Sequence, residues 1–311
     1  MVFQVTLSHM IVFFLVFAVG FAASRLKVIK EDALPALAQI ITKILLPCMI
    51  FYSTYANCKR ETIIGNWEMA LLAALFYAVI SLLMFVIAKL MRIEHDKDRV
   101  FQLCFIFGNT GFVGVPLLAA VFPDAGLVYM MMFSIVDQVV FWTYGIWLST
   151  ERCHDHGHIH VNLRSFVSPN TVSIVLALIF VMAEVPIFEP LQLGLSTVSS
   201  AATGMCMLYL GALASFSRAL PILKRPELYV GIVVKMIVLP VAVGHLIAMT
   251  GIFPGQMVLA LAIIMALPVM TVVPMVVANN GKEYEYATGI TVVTLVASIV
   301  TIPLVVFLVG L

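Results

Sequence analysis

Hydrophobic positions gather into long runs separated by short polar breaks. A helix crosses a bilayer in about 20 apolar residues. Runs of that order lie near 5–23, 33–55, 67–88, 100–122, 125–149, 171–185, 191–216, 228–249, 255–278 and 286–310. Ten membrane-spanning helices are therefore expected, with little chain left outside the bilayer. The first run is not expected to be a secretory leader, because the basic cluster Arg25, Lys27 and Lys30 follows it rather than precedes it.

Two runs are interrupted at matching places. The fourth contains Phe107-Gly108-Asn109-Thr110-Gly111-Phe112-Val113-Gly114-Val115-Pro116, and the ninth contains Ala266-Leu267-Pro268-Val269-Met270-Thr271-Val272-Val273-Pro274. Glycine and proline inside a membrane helix free backbone polar groups. Such groups survive at membrane depth only where protein or a watery cavity satisfies them. The plainer reading is that Pro116, Pro268 and Pro274 kink ordinary helices. The fuller reading is two discontinuous helices crossing at their breaks, which marks the substrate site of many secondary carriers. A shift of about 158 positions lays 111–116 over 269–274, in keeping with an inverted repeat. The chain then divides into a first five-helix repeat (1–150), a loop (151–165) and a second five-helix repeat (166–311). The expected fold class is an all-α polytopic membrane protein with broken crossover helices 4 and 9.

Composition agrees with that class. Hydrophobic residues make up 63% of the 311, charged residues only 11%, and mean hydropathy is +1.12. An ordinary soluble domain carries roughly twice that charge. A net charge of +1 gives no electrostatic case for nucleic acid. The basic residues are lopsided. Arg25, Lys27, Lys30, Lys89, Arg92, Lys97, Arg99, Arg152, Arg164, Arg218, Lys224, Arg225 and Lys282 fall in loops on one side, against Lys59 and Arg60 on the other. The positive-inside rule then makes 151–165 cytoplasmic and puts both termini outside the inner membrane. The five cysteines show no CxxC spacing and no disulfide framework.

The breaks also suggest chemistry. The start of a half-helix presents N–H groups whose partial positive charge favours an anion. Asn109, Thr110 and Thr271 add uncharged hydrogen-bonding side chains. Candidate substrate-binding residues are therefore Asn109, Thr110, Gly111 and Thr271, with Pro116, Pro268 and Pro274 shaping the breaks. The expected substrate is a small organic anion with a carboxylate end.

Charged residues inside the runs need a reason. Asp137 lies near the middle of the fifth run, where a charge costs about 2.5–3.5 kcal/mol on insertion scales. It is read either as a proton- or cation-coupling carboxylate or as the ion-pair partner of Lys43 or Lys235. Lys43, one turn before Pro47, is the second coupling candidate. Lys235 is expected to snorkel to the interface, and His245 to be hydrogen-bonded filler. Thr291, Thr294, Ser298 and Thr301 share a helix face, as do Ser196, Ser200, Gly204 and Gly211. Both faces read as close helix packing, and only Thr294 and Ser298 are expected to reach a cavity as well. Met130, Met131 and Met132 read as lipid- and core-facing filler. The stretch Cys153-His154-Asp155-His156-Gly157-His158-Ile159-His160 matches no closed metal site, so no metal or cofactor is expected.

The string Gly108-Asn109-Thr110-Gly111-Phe112 with Pro116 resembles the fourth-helix motif of the auxin efflux carrier family. Ala266-Leu267-Pro268 with Ala278-Asn279-Asn280-Gly281, residues 291–303, and Ser168-Pro169-Asn170 resemble other parts of it. The likeness spans nearly the whole chain. It implies a ten-helix, termini-out plan similar to bile-acid symporters and sodium/proton antiporters, with a crossover domain moving against a scaffold. It further implies a carrier for carboxylates such as malonate, malate or auxin-like acids, with the carboxylate near Asn109, and a homodimer. The short central loop resembles the family's bacterial members.

Other classes fit less well. No HExxH, GxSxG or Walker loop supports an enzyme, and no TVGYG-like filter supports a channel. The alternatives carried forward are a cation- or sodium-coupled carrier using Asp137 and a membrane sensor that binds an organic acid without moving it. The leading expectation is a secondary carrier of mono- or dicarboxylates working by alternating access, with proton or sodium coupling open.

Overall fold

Each apolar run becomes helix, because a backbone in lipid must satisfy its own hydrogen bonds. A computed structural model describes residues 2–57, 59–94, 97–123, 125–149, 169–216, 220–279 and 283–310. The histidine-rich stretch, the 151–165 loop and Asn280-Gly281 lie outside these residues. The helices are α1 (Val2–Arg25), α2 (Glu31–Ala56), α3 (Arg60–Ile64), α4 (Glu68–Leu90), α5 (Lys97–Ile106), α6 (Thr110–Val121) and α7 (Gly126–Ser149). After the loop come α8 (Pro169–Met182), α9 (Glu189–Phe216), α10 (Pro226–Thr250), α11 (Gly255–Ala266), α12 (Val272–Asn279) and α13 (Tyr284–Val309). Among the described residues, seven helices are long and apolar enough to cross a membrane: α1, α2, α4, α7, α9, α10 and α13. The chain is a multi-pass membrane protein. The fourth and ninth runs are each two short helices, α5–α6 and α11–α12.

The helices are apolar all round, so burial is decided by packing and not by an amphipathic pattern. Along α4, Met69, Leu72, Phe76, Tyr77, Ile80, Met84 and Ile87 recur every three or four residues and are buried, while Leu71, Leu75, Val79 and Leu82 are exposed. That outer face is the surface a bilayer would cover. Phe76, Tyr77 and Phe133 then pack as a cluster of rings, at centroid distances of 5.2–5.8 Å, that joins α4 to α7.

Among the described residues, three of the four π-helical turns stand directly before a residue–proline pair. Ile41–Leu45 precedes Leu46-Pro47, Thr110–Gly114 precedes Val115-Pro116, and Val234–Val238 precedes Leu239-Pro240. Proline has no N–H, and its ring crowds the carbonyl four residues back, so the ladder widens by one residue there. Pro116 therefore does not break its helix, contrary to the sequence reading. It sits inside α6, past a break made by Gly108 and Asn109.

α1 and α9 pack in close contact. A Cβ on Gly20 would strike the Leu208 backbone, and one on Gly211 would strike the Phe17 backbone. The two glycines thus let α1 and α9 touch main chain to main chain. The rest of the expected small-residue face differs, since Ser200 is exposed and Gly204 meets nothing. At the polar end of the bundle, Glu94 pairs with Lys97 and lies 3.9 Å from Arg225, which ties the α4–α5 connection to the segment before α10. The Lys97 hydrogen bond holds the Glu94 carboxyl below its ordinary pKa.

Gly211→Val is expected to lower stability by about 1–3 kcal/mol through overpacking, read as a fall in melting temperature of the purified protein. Gly194→Val, on the same helix with nothing near its Cβ position, is expected to leave it unchanged.

Candidate functional site

The two broken segments meet. Asn109 N–H donates to the Pro268 carbonyl at 2.7 Å, and Met270 N–H donates to the Phe107 carbonyl at 3.1 Å. Gly108 and Val269 form the antiparallel bridge between these bonds. A Cβ on Gly108 would lie 3.3 Å from Leu267 Cβ, so the close approach favours glycine. Val269 N–H, facing away from the bridge, donates to Thr294 Oγ1 of α13 at 3.2 Å, and Thr294 donates in turn to the Thr291 carbonyl. The orphan groups of the second break are thus taken up by the first break and by the polar face of α13.

Asn109 starts α6. Its backbone is non-helical, its Oδ1 accepts from Phe112 N–H at 3.1 Å, and its carbonyl accepts from Val113 and Gly114. This is N-capping by an asparagine side chain, and it fixes which way the amide points. Nδ2 is turned away from the cap. It is buried and has no hydrogen-bond partner. Thr271 Oγ1, beside the start of α12, is likewise buried and without a partner.

A cavity of ≈ 60 Å³ opens in front of Asn109. One water needs about 10–15 Å³ on this measure, so the space suits several waters or a molecule of a few heavy atoms. Asn109, Thr110, Gly111 and Phe112 line it from the start of α6, and Met270 and Val272 from the second break. Thr42, Ser53 and Thr54 line it from α2, and Met130, Met131, Ser134 and Gln138 from α7. No lining residue carries a formal charge. Of the sequence candidates, Asn109, Thr110 and Gly111 are on the wall. Thr271, Pro116, Pro268 and Pro274 are not, although they flank the half-helices that form it.

Sequence reasoning missed the α2 and α7 contributions. Leu127, Met130, Met131, Ser134 and Gln138 recur at helical spacing on one face of α7, and that stripe was the available signal. Met130, Met131 and Met132 are all buried, so none faces lipid. Of the α13 residues, Thr294 reaches the break and Ser298 lines a separate apolar cavity of ≈ 20 Å³.

The charged residues of the runs have partners other than one another. Asp137 is 0% exposed, and neither Lys43 nor Lys235 pairs with it. Its Oδ1 accepts from Tyr77 Oη of α4, and its Oδ2 accepts from Thr110 Oγ1 at 3.3 Å, at the positive start of α6. Lys43 is exposed and donates to Gln39 one turn earlier. Lys235 does not snorkel. It is 1% exposed, and its ammonium donates to the Leu267 carbonyl just beyond α11. It lies nine residues, about 14 Å, from the start of α10, and there the end of α11 covers the side chain instead of leaving it a path to the interface. His245 bonds the Val241 carbonyl of its own helix at 2.9 Å. Among the described residues, no group of three or more His, Cys, Asp or Glu is placed to hold a metal.

Thr294→Val, which keeps the shape and removes the acceptor for Val269 N–H, is expected to cost about 1–3 kcal/mol of stability. Tyr77→Phe is expected to cost a similar amount, because it strips one partner from a buried carboxylate. Thermal unfolding in detergent measures both.

Residues 5–306 match the family described as membrane transport protein. No curated protein matches the chain.

Proposed function

Since the chain belongs to that membrane transport protein family, the auxin efflux carriers, which are transporters and not enzymes, we propose that it is a secondary carrier for small organic anions. The observation that carries this reading is the unpartnered Asn109 Nδ2. It is a buried donor at a cavity flanked by two half-helix starts. A carboxylate there would accept from the amide and lie against the positive ends of α6 and α12. The neutral lining favours a substrate held weakly enough to be released.

The proposed architecture is ten spans in two inverted repeats, counting α5–α6 and α11–α12 as one span each. Its support is a pattern of matching neighbours. α1 packs on α9 and α2 on α8; α4 packs on α5 and α10 on α11. Under the half-chain shift each contact maps onto its counterpart. The Glu94–Arg225 proximity supports one shared cytoplasmic side, with the termini outside the inner membrane. Alternating access would then carry the crossing past the barrier. Asp137 is the proposed proton-coupling group. Its support is the direct bond to Thr110, which joins the carboxylate to the cavity wall. Lys43, exposed and turned to Gln39, has no part in this proposal.

Uptake of labelled malonate, malate and indole-3-acetate into proteoliposomes, with imposed pH gradients and membrane potentials, tests the reading. Saturable uptake of one acid is expected. Asn109→Ala is expected to lower kcat/KM about tenfold, the equivalent of ~1.4 kcal/mol, and an unchanged value would refute the site. Asp137→Asn is expected to keep exchange of the acid while losing acceleration by a pH gradient. If the gradient still accelerates uptake, Asp137 does not couple protons.

A further inference from the structure

Two antiparallel helices that break where they cross bring like ends together. The starts of α6 and α12 face the cavity. The C-terminal ends of α5 and α11 converge at the same bridge. A helix C-terminus carries about half a negative charge and leaves carbonyls without donors inside the helix. In carriers with discontinuous helices, such carbonyl ends coordinate the coupling cation.

Here an ammonium stands at those ends. Lys235 is among the largest fully buried side chains of the protein. It donates to the Leu267 carbonyl, directly after α11. Its Nζ also lies 3.6 Å from the Cβ position of Gly108, directly after α5. It therefore bonds the end of α11 and lies close to the residue that follows α5. No carboxylate lies within ion-pairing distance among the described residues, and Asp137 is engaged by Tyr77 and Thr110. A buried cation without a counter-ion is costly. The carbonyl ends are the compensating negative charge.

We propose that Lys235 is a tethered counter-cation: its ammonium takes the position that a free sodium or potassium ion would otherwise hold at the crossing. The crossing is thereby held without a metal cation, whichever substrate occupies the cavity. Removing the ammonium leaves the Leu267 carbonyl without its donor where the negative ends of α5 and α11 converge, a place that a monovalent cation could fill.

The test is thermal unfolding of purified wild type, Lys235→Ala and Lys235→Gln in choline, sodium, lithium or potassium chloride at equal ionic strength. Wild type is expected to melt at the same temperature in all four, within about 1 °C. Lys235→Ala is expected to melt lower in choline, and to rise by about 3 °C or more in at least one of the metal chlorides. Lys235→Gln, whose amide still donates to Leu267, is expected to lose less and to show the same selectivity. Recovery of folded variants only from sodium- or potassium-containing buffers counts for the proposal. Variants that respond equally to all four salts, or that fail to fold in every one, overturn it. So does a wild type as responsive as the variants. The readout is stability alone, so failure here leaves the organic-anion reading untouched, and failure of uptake leaves this proposal standing.

Discussion

Two backbone hydrogen bonds hold the crossing of the two broken segments together. Asn109 N–H to the Pro268 carbonyl and Met270 N–H to the Phe107 carbonyl join segments that would otherwise expose bare main chain in the middle of the bundle. Away from bulk water, each bond is worth more than at a surface, and each unmade one costs more. The bridge also sets the geometry of everything near it. It fixes where α6 and α12 begin, and so where their positive ends point. It fixes where α5 and α11 stop, and so where negative charge collects.

The charged side chains follow from that geometry. Asp137 lies against the start of a half-helix, and Lys235 lies at the end of another. Each charge meets the helix end of opposite sign instead of meeting the other charge. A direct pair would have neutralised both and left the helix ends unanswered. Keeping them apart uses one carboxylate and one ammonium to settle two separate electrostatic problems. The cavity itself is left free of fixed charge.

Much of this was legible in the sequence, because lipid allows few solutions. Apolar run length located the helices, and Gly108-Asn109 and Pro268 located the breaks. The partners of the intramembrane charges were not legible. Tyr77 sits in an apolar run where a tyrosine reads as filler, and its carboxylate partner is sixty residues away. Lys235 was misread because distance from the end of a run gives depth but not facing. Whether a lysine can reach the interface depends on which neighbour covers it, and α11 does. The α2 wall was hidden for the same reason. Thr42, Ser53 and Thr54 become one surface only when α2 is turned toward α6 and α7.

The widened turn that holds Lys235 carries a further consequence. Val234–Val238 contains one residue more than an α-helical ladder would. Each residue of a helix advances the side-chain direction by about 100°. Deleting one residue in that turn would restore regular pitch with the two halves of α10 still in phase, because the widened turn already absorbs the extra residue. Adding or removing a residue in a regular stretch of α10 would instead rotate one half against the other by roughly that angle, and Lys235 or the buried pair Leu239 and Pro240 would leave its place. The widened turn is therefore the point along α10 where a change of one residue in length can be taken up.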